Sequence, residues 1–327
     1  MLRKFTYIIL LAAIASCERI GNAGTERIGV SAGIGELVST TRAAAVPFRG
    51  TAPSEDNVLE SAVWFSTDKT KFLHNPVSPT YLPAHTEITF ESSAITYADY
   101  TPAGSDTPYS LTYPVDNTPV YCVGFHPADG WNCTDGVNVS HAVNGSHDIM
   151  FAEQIEGTWD EHFQTLNYRH LLTWVKVSVC AMTMETARQW GNVTNVTIKT
   201  KSNLNVDLSK ASDKVTYGGE DQYLTVYNNA DGMDLSLTSK EVGSVFCTPA
   251  TEYEVTIKTK NSAQKTLTVK LSDLDYTEIT SPDQAVGKLF ILSLYFNPFN
   301  IIEGTCTLNY WNDQNEDLYM TPPSGSN

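Results

Sequence analysis

Apolar and polar residues alternate along most of the chain, and the alternation is strictest in the second half. Five segments place apolar side chains on one face and Lys, Thr or Ser on the other: 174–180 (WVKVSVC), 193–200 (VTNVTIKT), 253–260 (YEVTIKTK), 267–271 and 288–296 (KLFILSLYF). A period of two residues predicts antiparallel β-strands with one face in water. The similar strings VTIKTKSN (196–203) and VTIKTKNS (255–262) are interpreted as a coincidence of this pattern rather than an internal repeat.

Residues 43–165 contain shorter strand patterns separated by Pro, Gly, Asn and Asp. Examples are 61–66 (SAVWFS), 86–91 (TEITFE) and 119–125 (PVYCVGF). No stretch keeps apolar residues at helical spacing for three turns, so helix is predicted only as one short turn at Glu185–Trp190, ended by Gly191. The polar, turn-rich residues 126–147 are predicted to form a long exposed connection.

Many short strands and almost no helix predict an all-β protein built from two tandem antiparallel β-sandwiches of the transthyretin-like or immunoglobulin-like type. The N-terminal sandwich is predicted to span residues 43–165 and the C-terminal sandwich residues 166–327, with the joint near 157–167. The length of 327 residues suits two domains of ordinary size.

The first residues have the features of an export signal. Arg3 and Lys4 precede an apolar run from Phe5 to Ser16, which is too short to span a bilayer. The run ends in Ile14-Ala15-Ser16-Cys17, a lipobox, which predicts a lipoprotein signal peptide at 1–16 and lipidation of Cys17. The alternative is an ordinary signal peptide that ends near a cysteine.

Residues 17–42 follow as a tether that contains a strand pattern. Ile28, Val30, Ala32 and Ile34 alternate with glycine and serine, which indicates a strand lying in a groove. Arg42-Ala43 lies in a stretch of small residues of the kind that proteases cut. The segment is therefore interpreted as an excisable strand, with a tether that happens to alternate as the alternative.

The net charge of −16 makes nucleic acid an unlikely class of partner, because an acidic surface repels phosphate backbones. Besides Cys17 the chain has five cysteines, and Cys122 with Cys133 is the disulfide pairing to test first. No C-x-x-C pair supports a zinc or redox site. We therefore expect no metal and no cofactor.

Catalytic motifs are weak in this sequence. Gly29–Gly33 matches G-x-S-x-G, but that motif needs a strand-to-helix turn above a parallel sheet, which the pattern does not predict. His141, His147 and Asp148 lack the spacing of a metal site. The chain is not predicted to be an enzyme, although an acidic hydrolase on a β scaffold is a third reading.

Two strings resemble the fimbrillin family, the type V pilins and related lipoproteins of Bacteroidia. The first is Asp148-Ile149-Met150-Phe151-Ala152, and the second contains Tyr168, His170 and Leu171 before a strand of alternating Val and Lys. The lipobox, the Thr-Arg-Ala at 41–43 and the string TCTLNYW at 305–311 are also similar to the family. We expect His170 to have a packing role rather than a catalytic one.

The resemblance implies a cell-surface fimbrial subunit, carried to the outer membrane through its lipid anchor. A protease specific for arginine would cut after Arg42, with Arg49 as the runner-up, and release the strand Ile28–Ile34. A strand from another fimbrial subunit would then fill the groove. Cys306, Leu308 and Tyr310 are the candidate donor or closing strand. Stalk, tip and accessory roles all remain open, and so does the receptor.

The main rival is a surface glycan-binding lipoprotein built of β-sandwiches. It would keep the leader segment uncut and would need exposed aromatic platforms, for which Trp131, Trp159 and Tyr100 are the candidates.

Overall fold

The computed structural model describes residues 26–34, 58–66, 86–91, 95–100, 109–133, 135, 137–273 and 275–309. The all-β prediction is confirmed. The described strands are β1 (Gly29–Val30), β2 (Ala32–Ile34), β3 (Val58–Ser66), β4 (Thr86–Glu91), β5 (Thr96–Tyr97), β6 (Asp99–Tyr100), β7 (Tyr109–Ser110), β8 (Val120–His126), β9 (Trp131–Asn132), β10 (Asn138–Ala142), β11 (Met150–Gly157), β12 (Leu166–His170), β13 (Thr173–Ala181), β14 (Val193–Asp207), β15 (Val215–Met233), β16 (Lys240–Cys247), β17 (Glu252–Thr259), β18 (Lys265–Lys270), β19 (Leu289–Phe296) and β20 (Ile302–Asn309).

These strands form three main sheets. The first-half sheet has the order β2-β12-β11-β8-β3-β4. In the second half, a four-stranded sheet has the order β16-β13-β19-β20 and faces a sheet with the order β18-β17-β14-β10-β9, in which β15 pairs with the other edge of β14. Two small pairs, β1 with β5 and β6 with β7, complete the described strands.

The short helix is confirmed as α1 (Met184–Trp190). Thr183 caps its N-terminus by accepting a hydrogen bond from the Thr186 N–H at 3.0 Å. Gly191 ends the helix at φ 70°, a left-handed conformation that favours glycine. A 3-10 turn, Pro282–Ala285, precedes β19.

Three clusters of buried apolar side chains hold the sheets together. The first-half core lies on one face of the first-half sheet, and the second-half core lies between the two large sheets of the second half. A middle cluster lies on the other face of the first-half sheet and joins it to the second half. Strand β8 shows the division, because Val120 and Cys122 belong to the first-half core and Val123 and Phe125 to the middle cluster.

The sheets do not divide at a single point in the chain. Strand β12 follows residue 165 yet pairs with β11 in the first-half sheet. Strand β10 precedes it yet pairs with β14, with Val139 opposite Val206 and His141 opposite Leu204. The chain therefore crosses between the two halves more than once.

The prediction that residues 126–147 form an exposed connection is wrong. This stretch contains β9 and β10, and Val139, His141 and Val143 are buried. Strand β10 extends the second-half sheet, so tertiary pairing overrides the polar composition of the segment.

The two similar strings noted in the sequence lie side by side in the structure. β14 and β17 are antiparallel, and Val196 pairs with Ile257, Thr197 with Thr256 and Ile198 with Val255. Both strands place valine and isoleucine in the second-half core, and the paired Thr197 and Thr256 between them lie on the opposite face. Neighbouring strands that bury the same face of a sheet need the same alternation of apolar and polar residues.

Candidate functional site

Residues 26–34, which we call the leader strand, are part of the first-half core. The side chains of Ile28, Val30 and Ala32 are 0%, 1% and 0% exposed. Of Ile34 only the backbone position is described, at the end of β2. Cys17, Arg42, Ala43 and Arg49 lie outside the described residues.

The first part of the leader strand lies between two chain segments that diverge from each other. Residues 99–100 and 109–110 pair with each other, with Asp99 opposite Ser110. Beyond that point the two segments diverge, and the leader strand pairs with both. Gly29 lies opposite Tyr97 on one side, and Arg27 forms a bridge with Thr112 on the other.

Three backbone hydrogen bonds mark the point of divergence. The Ile28 N–H donates to the Leu111 carbonyl at 2.7 Å, the Ala98 N–H donates to the Ile28 carbonyl at 2.9 Å, and the Leu111 N–H donates to the Ala98 carbonyl at 2.9 Å. The Tyr113 N–H also donates to the Glu26 carbonyl at 3.0 Å. Loss of the leader strand would therefore remove backbone partners from both flanking segments.

The second part of the leader strand is the edge of the first-half sheet. Strand β2 is parallel to β12, with Ala32 opposite Leu166, and the Leu166 N–H donates to the Ser31 carbonyl at 2.8 Å. The hydroxyls of Ser31 and Thr165 are 2.9 Å apart. Among the described strands of that sheet β2 has only β12 as a neighbour, so the leader strand could be removed without breaking a pairing between other described strands.

One ion pair and one contact between a carboxylate and a histidine hold the start of the leader strand at the surface. The Arg27 guanidinium donates to Asp99 at 2.8 Å and lies 4.7 Å from the centre of the Tyr97 ring. Glu26 lies 3.2 Å from His162, whose ring stacks on Tyr113 with centroids 5.1 Å apart. Exposed ion pairs contribute little to stability, so burial of the apolar side chains is the main attachment.

Aromatic side chains line the groove that holds the leader strand. The Tyr113 hydroxyl accepts a hydrogen bond from the Phe163 N–H at 2.9 Å, and burial raises the pKa of Tyr113 to about 12. Tyr168 on β12 is fully buried, which raises the pKa of its phenol. Its ring lies against Gly124, where a side chain would occupy the same space.

The two strings that resemble the fimbrillin family meet in space. Met150 on β11 lies opposite His170 on β12, and His170 Nδ1 is 2.5 Å from Asp148 Oδ2. The Asp148 side chain is 2% exposed and that of His170 is 12% exposed. This pair fixes the end of β12 where the chain enters the middle cluster through Leu171. The arrangement agrees with a packing role for His170.

The candidate closing strand is part of its own sheet. Strand β20 pairs with β19 from Phe296 opposite Ile302 to Leu289 opposite Asn309. Cys306 is buried, which raises the pKa of its thiol to about 11, and Leu308 packs against the second-half core. Tyr310 lies outside the described residues. Residues 302–309 therefore close the second-half sandwich rather than extending from it.

The proposed pairing of Cys122 with Cys133 does not occur in the structure, where no disulfide joins them. Cys122 is in the first-half core, whereas Cys133 packs against the middle cluster on the opposite face of the first-half sheet. Successive strand residues point to opposite faces, and position 122 faces away from Cys133. Burial raises the pKa of the Cys122 thiol well above its usual value.

The tryptophans proposed as glycan platforms are packed into the fold. The Trp131 ring contacts Phe125 and His141 and its Nε1 donates to the Pro127 carbonyl at 2.7 Å. Trp159 is partly buried against the first-half core. The side chain of Tyr100 lies outside the description. Both tryptophans are thus partly buried rather than fully exposed.

The weaker catalytic and metal motifs have structural explanations. Ser31 lies between β1 and β2, and its hydroxyl contacts Thr165 rather than a catalytic base. The two ring nitrogens of His141 lie close to backbone carbonyls, Nδ1 2.7 Å from that of Ala142 and Nε2 3.2 Å from that of Asp129. Within the part of the chain that the structure describes, no three His, Cys, Asp or Glu side chains converge as a metal site. That part also contains no helix long and apolar enough to cross a membrane.

Comparison with known proteins gives both a family and a fold. A fimbrillin-like family model matches residues 41–311. A solved "putative cell adhesion protein" from Bacteroides uniformis superimposes with a TM-score of 0.54 at 12% identity, covering 87% of this chain and 99% of that one. One with the same description from Bacteroides ovatus gives a TM-score of 0.50 at 14% identity, covering 86% and 96%. At these identities the structural likeness shows a shared fold. A comparison with curated proteins found no match to this chain.

Proposed function

The chain belongs to the fimbrillin-like family, and on that premise we propose that it is a structural and adhesive subunit of a bacterial cell-surface fimbria. Lipidation at Cys17 anchors the precursor to the outer membrane. Cleavage after Arg42, or after Arg49, frees the leader strand from the mature chain. Its partners are other fimbrial subunits, and the role is structural rather than catalytic.

The main support for this proposal is the burial of the leader strand in the first-half core. In sequence, the candidate cleavage sites separate this strand from the rest of that core. Ile28, Val30 and Ala32 are fully buried, while both candidate cleavage sites follow the strand in sequence. A single cut would therefore make the strand a separate peptide held only by noncovalent contacts. An ordinary tether would not fill a core.

The energy of this contact suits exchange for another strand. Complete burial of Ile28 and Val30 contributes roughly 3–6 kcal/mol together. Leaving the groove empty would expose that apolar surface and the flanking backbone groups to water. A donor strand that buries more side chains in the same groove would replace the leader strand and dissociate slowly.

The pairing of β20 with β19 bears on the choice of donor strand. Using residues 302–309 as donor would break the eight residue pairs between β19 and β20. We therefore assign donation to residues 310–327, which include Leu318, Tyr319 and Met320, or to another subunit. A tip or accessory subunit would accept a strand without donating one.

Limited digestion of the purified precursor with an arginine-specific protease tests the proposal. We expect a stable fragment beginning at Ala43, loss of residues 26–34 from it, and a ladder of oligomers on unboiled gels. The Arg42→Ala and Arg49→Ala variants, alone and together, assign the cut. An uncut or rapidly degraded wild-type chain would contradict the mechanism.

A further inference from the structure

Strands β15, β14, β17 and β18 are neighbours in one sheet of the second half, and one face of this sheet points away from the core. Leu224, Ile198, Val255 and Leu267 form a row across the four strands and pack in the second-half core. Because successive residues of a strand point to opposite faces, the residues before and after each of these four point outward. We call the surface that these side chains form the outer face.

One row of the outer face consists of threonines. Thr225, Thr197, Thr256 and Thr266 lie on the four consecutive strands and pair in register. Neighbouring strands are about 4.8 Å apart, so the row extends over about 14 Å. The hydroxyls of Thr256 and Thr266 are 3.1 Å apart, and Thr225 and Thr266 are exposed. Since a hydroxyl can both donate and accept hydrogen bonds, this row suits a ligand that has hydroxyl groups of its own.

An aromatic ring lies beside the threonine row. Tyr223 on β15 is opposite Lys199 on β14, and its hydroxyl donates to Glu254 on β17 at 2.9 Å. The long axis of the ring therefore runs along the sheet, across β14, rather than away from it. Asp221 fixes the next row by pairing with Lys199 at 3.1 Å and Lys201 at 2.8 Å. Tyr223 is nevertheless 54% exposed, so the ring is preorganised to stack on a ligand.

The charges around this ring cancel. The outer face has three cations and three carboxylates in the two rows beside the threonines: Lys199, Lys201, Lys270, Asp221, Glu252 and Glu254. Glu278, which pairs with Lys270, and Lys258, beyond the threonine row, add one charge of each sign. A polyanion or a strongly cationic partner would gain no net attraction here. The balance favours a neutral ligand.

The chemistry of the face matches a sugar more closely than a protein. Within these rows, the one aromatic ring is surrounded by threonine, lysine, aspartate and glutamate, whereas the centre of a protein interface is depleted of charged residues. A pyranose presents C–H groups on its face and hydroxyls around its rim. The negative face of an aromatic ring attracts the partly positive C–H hydrogens. The surrounding carboxylates, ammonium groups and hydroxyls are partners for the hydroxyls of the sugar.

We propose that the outer face is a binding site for a neutral saccharide. One pyranose stacks on Tyr223, while Asp221 and Glu254 accept hydrogen bonds from its hydroxyls and the threonine row binds the adjoining sugar. The site lies on a different sheet from the leader groove and takes no part in strand exchange. It rests on the proposed function for its place at the cell surface, and it gives the adhesive role a class of ligand.

Retention of the full, uncleaved chain on immobilised neutral hexasaccharides tests the site. The probes are linear chains of glucose, mannose, galactose or xylose, with dextran sulfate as an anionic comparison. We expect retention on at least one neutral chain, with an affinity that stays constant from about 0.05 to about 0.5 M salt, because screening does not affect an uncharged ligand. Failure to bind any of them, or binding to dextran sulfate alone, would overturn the proposal.

Substitution of the ring identifies the stacking contact. Tyr223→Ala should weaken binding of the retained saccharide about tenfold. Tyr223→Phe keeps the ring but loses the hydrogen bond to Glu254, so it should weaken binding by less, about threefold. Tyr276→Ala is the matched control, because Tyr276 is 83% exposed and lies on the turn after β18, and it should bind as the wild type does. Circular dichroism checks that each variant is folded. Equal affinities for Tyr223→Ala and Tyr276→Ala would overturn the proposal.

Lysine acetylation followed by mass spectrometry locates the bound sugar without any substitution. The side chains of Lys201, on the outer face, and Lys210, on the turn after β14, are each 49% exposed. A saturating concentration of the retained saccharide should slow acetylation of Lys201 several-fold and leave that of Lys210 unchanged. Equal effects on the two lysines would place the sugar elsewhere and overturn the proposal.

The outcomes distinguish this site from the proposed function. Tyr223→Ala should be cleaved and should form oligomer ladders as the wild type does. Sugar binding by a chain that never releases the leader strand would reject strand exchange and keep the site. Ladders from a chain that binds none of the neutral saccharides would do the reverse.

Discussion

Single residues in the groove wall set how closely the strands beside the leader strand can pack. Gly124 on β8 faces Tyr168 on β12, and a methyl group at Gly124 would overlap the Tyr168 hydroxyl and lie 2.7 Å from its Cζ. Both the ring and the strand backbone are buried, so neither can move far. Glycine is required here for space rather than for backbone conformation.

Gly124→Ala should therefore lower the free energy of unfolding by roughly 1–3 kcal/mol, as expected for overpacking. The midpoint of urea unfolding at constant slope measures it. Gly218→Ala on β15 is the matched control, because a methyl group there meets open space. Equal midpoints for the two variants would show that the groove wall can move to accept the extra methyl group.

Two histidines near the middle cluster make stability depend on pH. Burial is the main cause that lowers the pKa of His126 and of His141. In the unfolded chain histidine titrates near 6.5. On acidification below that value the unfolded state binds protons that the folded state resists, so stability is complete above about pH 6.5 and is lost as the pH falls through the lowered values.

The free energy of unfolding should thus decrease from pH 7.5 to 5.5, by at most about 1.4 kcal/mol per pH unit for each histidine. The midpoint of urea unfolding at each pH measures it. His141→Gln should reduce this slope. His147→Gln is the control, since His147 is exposed, and should keep the wild-type slope. A slope that does not change in His141→Gln would assign the pH dependence to other groups.

At the scale of elements, the leader strand should stabilise the precursor but not the processed protein. Ile28→Ala should destabilise the precursor by about 2–5 kcal/mol, because it leaves a cavity in the first-half core. Under the proposed strand exchange the cleaved, assembled protein no longer contains this strand, so the assembled variant should be as stable as the assembled wild type. Thermal unfolding of both forms measures the difference, with Arg27→Ala as an exposed control that should cost less than about 1 kcal/mol. An equal loss in the assembled form would mean that the strand stays bound.

Local alternation was enough to predict many of the strands, the short helix and the strand pattern of Ile28, Val30 and Ala32, but it missed the long strand β15 and also β11 and β16. It could not show which strands pair, because pairing depends on residues far apart in the chain. The divergence at Ala98 and Leu111 and the parallel pairing of β2 with β12 are of this kind. The contact between Asp148 and His170 also needed the register of β11 and β12, although both residues stood out in the sequence.

Strands with mainly polar sequences were the other feature that the sequence pattern could not predict. Residues 138–142 (NVSHA) have only two apolar side chains, Val139 and Ala142, which are three positions apart and do not alternate, so they give no strand prediction in a stretch rich in Asp, Asn and Gly. Pairing with β14 supplies the backbone hydrogen bonds and buries Val139 and His141. Similarly, Cys122 and Cys133 are close in sequence, but the sheet between their side chains separates them.

At the scale of the whole molecule, the middle cluster joins the two halves, so we expect them to unfold as one cooperative unit. It includes Ala62 and Phe125 from the first half and Leu204, Phe246 and Leu289 from the second. Strand β14 contributes to both this cluster, through Leu204, and the second-half core, through Ile198.

Leu204→Ala should cost about 2–5 kcal/mol and shift the unfolding of both halves together. Tryptophan fluorescence and far-UV circular dichroism should give coincident transitions, before and after the substitution. Leu237→Ala, at an exposed leucine, should change stability by less than about 0.5 kcal/mol. Two separate transitions would show that the halves unfold independently.

The direction of β13 and β19 has a mechanical consequence. The two strands are parallel over eight residue pairs, from Trp174 opposite Leu289 to Ala181 opposite Phe296, and so share one axis. Tension along that axis would load their hydrogen bonds in shear, so that all of them resist at once and none can be opened singly from an end. A thread of such subunits would withstand flow at the cell surface without unravelling.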